Sequence, residues 1–260
     1  MKQIKEILIA SVSLFLLGFG ICMAVSTFFM YREGEQEYET LREYVKEEER
    51  KENESEVQAP TPANKTTVDF QALKKINSDI IAWIRIPDTK IDYPVVQGKD
   101  NAYYLKHTFQ KTEHAAGSIF LDMDNEADFS NRKSILYGHN MKDGSMFGCL
   151  DKYLDRDYFE KYNEVFLFTP EEKRTYHIIA AYEHPAEHIL TSYDFSTTEG
   201  INDYLRQIPD FVADSGGVIQ DETEITPPLL TLSTCTRNDK QKRCLVQGIL
   251  VECEKKNQEE

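Results

Sequence analysis

The residues best suited to covalent chemistry lie near the end of the chain, in TLSTCTRNDKQKR, residues 231–243. Cys235 closes a run of strand character, and Arg243 follows eight positions later. A free thiol is usually a small buried hydrophobe, so a cysteine at the polar end of a strand either packs or reacts. If the flanking runs pair as an antiparallel hairpin, Thr236–Lys242 form the loop, and Cys235 and Arg243 face each other with Cα atoms about 4.5–5.5 Å apart. A cation held beside a thiol favours the thiolate and can hold the oxyanion of acyl transfer. Arginine suits that role because it stays charged at any physiological pH. Alternation along the strand puts Leu230 and Leu232 on one face and Thr231, Ser233 and Cys235 on the other, which predicts a polar, accessible side for the thiol. The same parity in the last strand puts Cys244 on the core face with Val246 and Leu250, opposite Arg243, Leu245 and Gln247.

A thiolate needs a proton partner, and the chain offers His107, His114, His139, His177, His184 and His188. His139 lies in LYGHNMKDGSMF, at the end of an apolar run, with Gly138 leaving room beside it and a polar loop after it. Taken alone, such a histidine is more often a hydrogen-bonded loop residue. His184 and His188 in EHPAEH have helix-like ligand spacing, but Pro185 and the lack of a third clear ligand argue against a metal. No cofactor is expected.

Eight runs rich in β-branched and aromatic residues must position these groups: 81–86, 91–97, 117–122, 134–140, 164–169, 174–182, 229–235 and 243–252. Their number and turn spacing predict a mainly β fold, a closed or nearly closed antiparallel barrel, rather than a parallel α/β sheet. Helical patterns fall at Phe70–Ile76, Met146–Leu154, Asp157–Tyr162 and Thr198–Ile208. Upstream, residues 1–6 read as a short tail, and residues 7–30 carry no charge. That is long enough for a bilayer-crossing signal anchor, which needs about 20 residues. Residues 31–67 read as an acidic, partly helical stalk and a proline-containing linker, 68–255 as the catalytic domain, and 256–260 as a polar tail.

The chain has 260 residues and a net charge of -15. That acidity argues against nucleic acid as a partner, because phosphate binding needs clustered cations. Five cysteines, irregularly spaced and without a CxxC pair, exclude a disulfide scaffold and leave at least one free thiol.

TLSTC with an arginine eight positions on, LYGHNM, and IDYPVVQGKDNAYYLKHTF followed by GSIFLD together resemble the sortases, and most closely the class B sortases. The resemblance runs from about Phe70 to Val251. It implies an eight-stranded sortase-type β-barrel with an N-terminal helix and a helix in the loop before the penultimate strand. It also implies a triad of Cys235, His139 and Arg243, with Asn101, Leu105, Tyr137 and Ser233 lining the signal groove. Thr191–Phe195, with the following helix, matches the insert that shapes specificity, and Tyr193 within it counts among the substrate-binding residues. The implied activity is cleavage of a C-terminal sorting-signal pentapeptide after threonine. A thioester forms, and the acyl group passes to a peptidoglycan precursor amine. The implied partners are surface proteins bearing sorting signals and the membrane, through the N-terminal helix. The implied placement is single-pass, with a cytoplasmic N-terminus and an extracellular catalytic domain. Thr236 stands where some relatives carry an acid, and Arg237 is a second cation near the thiol. A pilin-polymerising sortase, a hydrolytic cysteine peptidase and a non-enzymatic surface binding protein are the alternatives.

Overall fold

The computed structural model describes residues 2–48, 65–220, 228–236, 239 and 241–256. The chain divides into two compact units, Met1–Thr40 and Leu41–Glu260. Helix α1 runs from Lys2 to Arg42, and its residues up to Thr40 make up the first unit. Among the described residues no helix is long and apolar enough to cross a membrane. The expected single-pass anchor, and the cytoplasmic and extracellular placement built on it, are therefore not supported.

In the second unit the stalk gives way to structure that the sequence does not announce. Strand β1 (Val45–Glu48) pairs antiparallel with β2 (Lys65–Val68). Residues 49–64, the end of the expected stalk (31–56) and most of the expected linker (57–67), lie outside the described residues. Helix α2 (Phe70–Ile76) follows, its start fixed by Asp69, whose Oδ1 accepts the Ala72 N–H at 2.9 Å. The remaining strands are β3 (Ile80–Arg85), β4 (Asp92–Val96), β5 (Ile119–Leu121), β6 (Lys133–Tyr137), β7 (Glu164–Phe168), β8 (Glu172–Pro185), β9 (Val218–Ile219), β10 (Leu229–Cys235) and β11 (Lys242–Lys255). Between them lie α3 (Arg156–Lys161), α4 (Ile189–Ser192) and α5 (Thr198–Ser215). Arg85 of β3 reaches both Asp92 of β4 and Glu47 of β1, which ties the small β1–β2 pair to the rest of this unit.

Eight strands close a barrel in the order β11-β10-β6-β5-β4-β3-β7-β8, and β8 returns to pair with β11, while β9 adds to the edge of β8. All eight coincide with the runs read from the sequence. The barrel is mixed rather than antiparallel, because β4 pairs parallel with β5 and β6 parallel with β10. Parallel neighbours need a long crossover, and both pairs have one: residues 97–118 in the first case and the excursion through α3, β7, β8, α4 and α5 in the second.

Helix α5 is the element that most affects the site. Thr197 caps it by accepting the Gly200 N–H at 3.0 Å, and Gly216, at φ 67°, ends it in the left-handed conformation. Its buried residues Ile201, Tyr204, Ile208 and Val212 recur at three- and four-residue spacing, so they form one stripe. That stripe packs with Ile135, Tyr182, Leu229 and Leu245 in one apolar cluster.

Candidate active site

Three neighbouring strands, β6, β10 and β11, carry one continuous row of side chains toward the site. Their register places Thr231 beside Gln247 and Ile135, Ser233 beside Leu245 and Tyr137, and Cys235 opposite Arg243. The hairpin expected from the spacing is therefore present. Thr236 secures its loop, donating its N–H to Lys242 O at 3.2 Å and its hydroxyl to Asp239 O at 2.6 Å. Arg237 lies outside the described residues.

Parity along β10 is as expected, but its consequence for exposure is not. Thr231 and Ser233 are buried, as are Leu230 and Leu232 on the other face, and only Cys235 at the strand end is partly open. The reason is the α5 stripe, which covers the polar-looking face of the strand. Composition alone gives no sign of that cover.

His139 follows β6 directly. Gly138 is needed there for space: a Cβ at this position would lie 2.4 Å from Ile119 Cδ1 and 2.8 Å from Phe147 Cδ2. The glycine N–H donates to Ser233 O at 3.2 Å, which carries the chain past β10 toward the thiol. The imidazole Nε2 donates to the Leu105 carbonyl oxygen at 2.6 Å, which fixes the ring against the Leu105 loop. Next along, Asn140 donates to Cys235 O and to an Asp151 carboxylate oxygen, both at 2.9 Å. This bridge pins the end of the nucleophile strand to the histidine loop.

These residues open onto a cleft of about 310 Å³ that is lined by Cys235, His139 and Arg243. Of the expected groove residues, Asn101, Leu105, Tyr137 and Ser233 line it as well. Tyr193 does not. Its ring packs edge-on against Tyr204 and its hydroxyl donates to Gln207, so it belongs to the core under α5. Asn101 Oδ1 accepts the Met123 N–H at 2.8 Å, which fixes the loop that forms one wall.

Sequence reasoning missed a buried carboxylate in this wall. Asp122, at the end of β5, is fully buried; its Oδ2 accepts the Tyr137 hydroxyl at 2.8 Å and pairs with His188 Nε2 at 2.7 Å. Burial and the neighbouring carboxylate push the Tyr137 phenol far up from its ordinary pKa, so it stays protonated as a donor. The motif EHPAEH flags His188, but the helix-like pairing with His184 does not form. His184 bonds to the Pro185 carbonyl and packs against Phe211. Asp122, Asp124 and His188 bring possible ligand atoms within 4.8 Å of one another, yet the Asp122 oxygens already accept from Tyr137, from His188 and from the Asp124 N–H.

The remaining thiols divide by burial. Cys244 and Cys149 are buried, and burial pushes both thiols up, so they are poor nucleophiles. Cys253 is exposed and donates to Glu172, away from the cleft.

Residues 84–251 match the sortase domain family. Sortase B of Listeria monocytogenes is 37% identical over 185 residues, covering 70% of this chain and 74% of that protein. The chain belongs to the sortase family. Among solved structures, sortase B from B. anthracis in complex with AAEK1 superposes with a TM-score of 0.69 at 33% identity, covering 86% of this chain and 99% of that one. A Staphylococcus aureus sortase B–substrate complex superposes with a TM-score of 0.62 at 31% identity, covering 70% and 84%. The closed mixed barrel is the sortase B fold, and the chain is a sortase-type cysteine transpeptidase.

Proposed function

We propose that this sortase cleaves a C-terminal sorting-signal pentapeptide after its threonine and transfers the threonyl group to a cell-wall amine. The observation that supports this best is the pairing of Cys235 with Arg243 at the mouth of the cleft that His139 also lines. In this reading the Cys235 thiolate attacks the threonine carbonyl, and Arg243 holds the oxyanion that forms. His139 gives a proton to the departing amine as the C–N bond breaks, leaving a thioester. The incoming amine then loses a proton to His139 as it displaces the thiolate, and an amide replaces the thioester. No redox step is involved, and the proton balance closes on the one histidine.

Surface proteins bearing the signal are the donors, and a peptidoglycan precursor amine is the acceptor. Asn101, Leu105, Tyr137 and Ser233 would line the groove for the signal. The test is incubation of the full chain with LPxTG-, NPxTN- and SPxTG-like peptides, with and without an oligoglycine or diaminopimelate-type amine, read by intact mass. The expected result is an acyl adduct that is absent in Cys235→Ala and resolves faster with amine than with water. An adduct resolved equally by water would make the enzyme a hydrolytic peptidase. No adduct with any peptide on folded protein would overturn the proposal.

A further inference from the structure

The cleft contains a second histidine that the reaction above does not use. His188 lies between β8 and α4, and its side chain is one-third exposed, while its partner Asp122 has no exposed side-chain surface. Asp122 accepts at both oxygens, Oδ1 from the Asp124 N–H at 2.9 Å and Oδ2 from Tyr137 at 2.8 Å. Nε2 of His188 must therefore be its protonated nitrogen, donating to Oδ2 at 2.7 Å. In the neutral ring this leaves the Nδ1 lone pair as the acceptor. A ring held by a fully buried carboxylate, which is itself bonded to β6 through Tyr137, has little freedom to turn. Three elements are joined by this triangle, namely the end of β5, the end of β6 and the β8–α4 connection.

We infer that His188 is a specificity-determining residue that accepts a hydrogen bond from a donor of the bound peptide, with Asp122 and Tyr137 as the positioning residues that aim it. This rests on the proposed function, because the peptide is its ligand. A fixed acceptor in a partly apolar cleft discriminates strongly, since a peptide lacking the matching donor leaves a polar atom desolvated and unpaired. The role differs from that of His139: His188 sets which peptide is held, and His139 moves the proton.

The experiment measures acylation of Cys235 in the full chain, using the same three peptides, for wild type, His188→Phe and His188→Gln. Phenylalanine keeps the ring volume without either nitrogen; glutamine keeps a donor for Asp122 and an acceptor for the peptide. For the best peptide, His188→Phe is expected to raise KM about fivefold to tenfold, the size of one neutral hydrogen bond, with kcat within about twofold. His188→Gln is expected to recover part of the loss. Peptide donors are then removed singly, by N-methylation of each amide and truncation of each polar side chain. One removal is expected to cost wild type the same factor and His188→Phe nothing. Alkylation of Cys235 by iodoacetamide at the wild-type rate verifies that each variant is folded with a reactive centre.

An unchanged KM, a loss confined to kcat, or peptide losses that add in every variant would overturn the role of His188 while leaving the transpeptidase intact. Wild-type chain that acylates with none of the peptides would instead overturn the proposed function, and this inference with it.

Discussion

Lys133 offers the most direct test of the packing that underlies the site. Its ammonium is buried, with Nζ 2.7 Å from Thr231 Oγ1, 3.1 Å from Tyr204 OH and 3.1 Å from Gln247 Oε1, and the Tyr204 ring centroid 4.3 Å away. Among the described residues no carboxylate pairs with it, and burial pushes its pKa well below that of a free lysine. The unfolded chain therefore holds a proton that the folded chain gives up, over a window extending downward from about pH 10.4 to the folded pKa. Stability rises with pH across that window, by about 1.4 kcal/mol per pH unit, and is flat on either side of it.

Lys133→Met removes the titrating group and leaves its neighbours partnered. Thr231 still donates to Gln247 Oε1 at 2.7 Å, and Gln247 Nε2 still donates to the Tyr182 and Tyr204 hydroxyls. The variant is expected to be at least as stable as wild type at pH 7, in line with other replacements of buried charges by apolar groups. Its advantage should shrink as pH rises toward 10. Urea unfolding at half-unit steps from pH 7 to 10 reads this directly. Within the window, the gap between the two midpoints should close by about 0.5 M per pH unit for a slope of about 2–3 kcal/mol/M. A gap that stays constant over the whole range, or a Lys133→Met chain less stable by more than about 2 kcal/mol throughout, would refute the reasoning. Either result would mean that the three oxygens and the Tyr204 ring around the ammonium hold its charge in place.

Gly138→Ala is expected to destabilise the fold by about 1–3 kcal/mol through overpacking against Ile119 and Phe147. In the fraction that folds, it should slow acylation by displacing His139; thermal melts and single-turnover acylation separate the two effects. Arg243→Ala is expected to lower the rate of adduct formation about 10²–10³-fold. Arg243→Lys should recover it only in part, because a point charge does not replace the planar fork. Brief alkylation of native protein, followed by peptide mapping, should label Cys22, Cys235 and Cys253 while sparing the buried Cys149 and Cys244. Asn140→Ala should cost about 1–3 kcal/mol by removing one hydrogen bond each from Cys235 O and Asp151, measured as a shift in the urea midpoint.

The strands and the pairing of Cys235 with Arg243 were legible in the sequence because both are local. A period of two along residues 229–235 and 243–252, with a seven-residue loop, is enough to set Cys235 opposite Arg243, since a hairpin's register follows from its own residues. Gly138 beside His139 was legible as a residue type, but the close approach of Ile119 and Phe147 that requires it comes from other segments of the chain. The tertiary structure decided what depends on distant segments. Two long crossovers made the barrel mixed, and α5, arriving from residues 198–215, buried the face of β10 that alternation alone assigns to solvent. It also moved Tyr193 into that core and brought Asp122, Tyr137 and His188 together across a sequence separation of 66 residues. Such contacts carry no local signature, because a buried polar triangle is specified by which elements close over it and not by the spacing of its members.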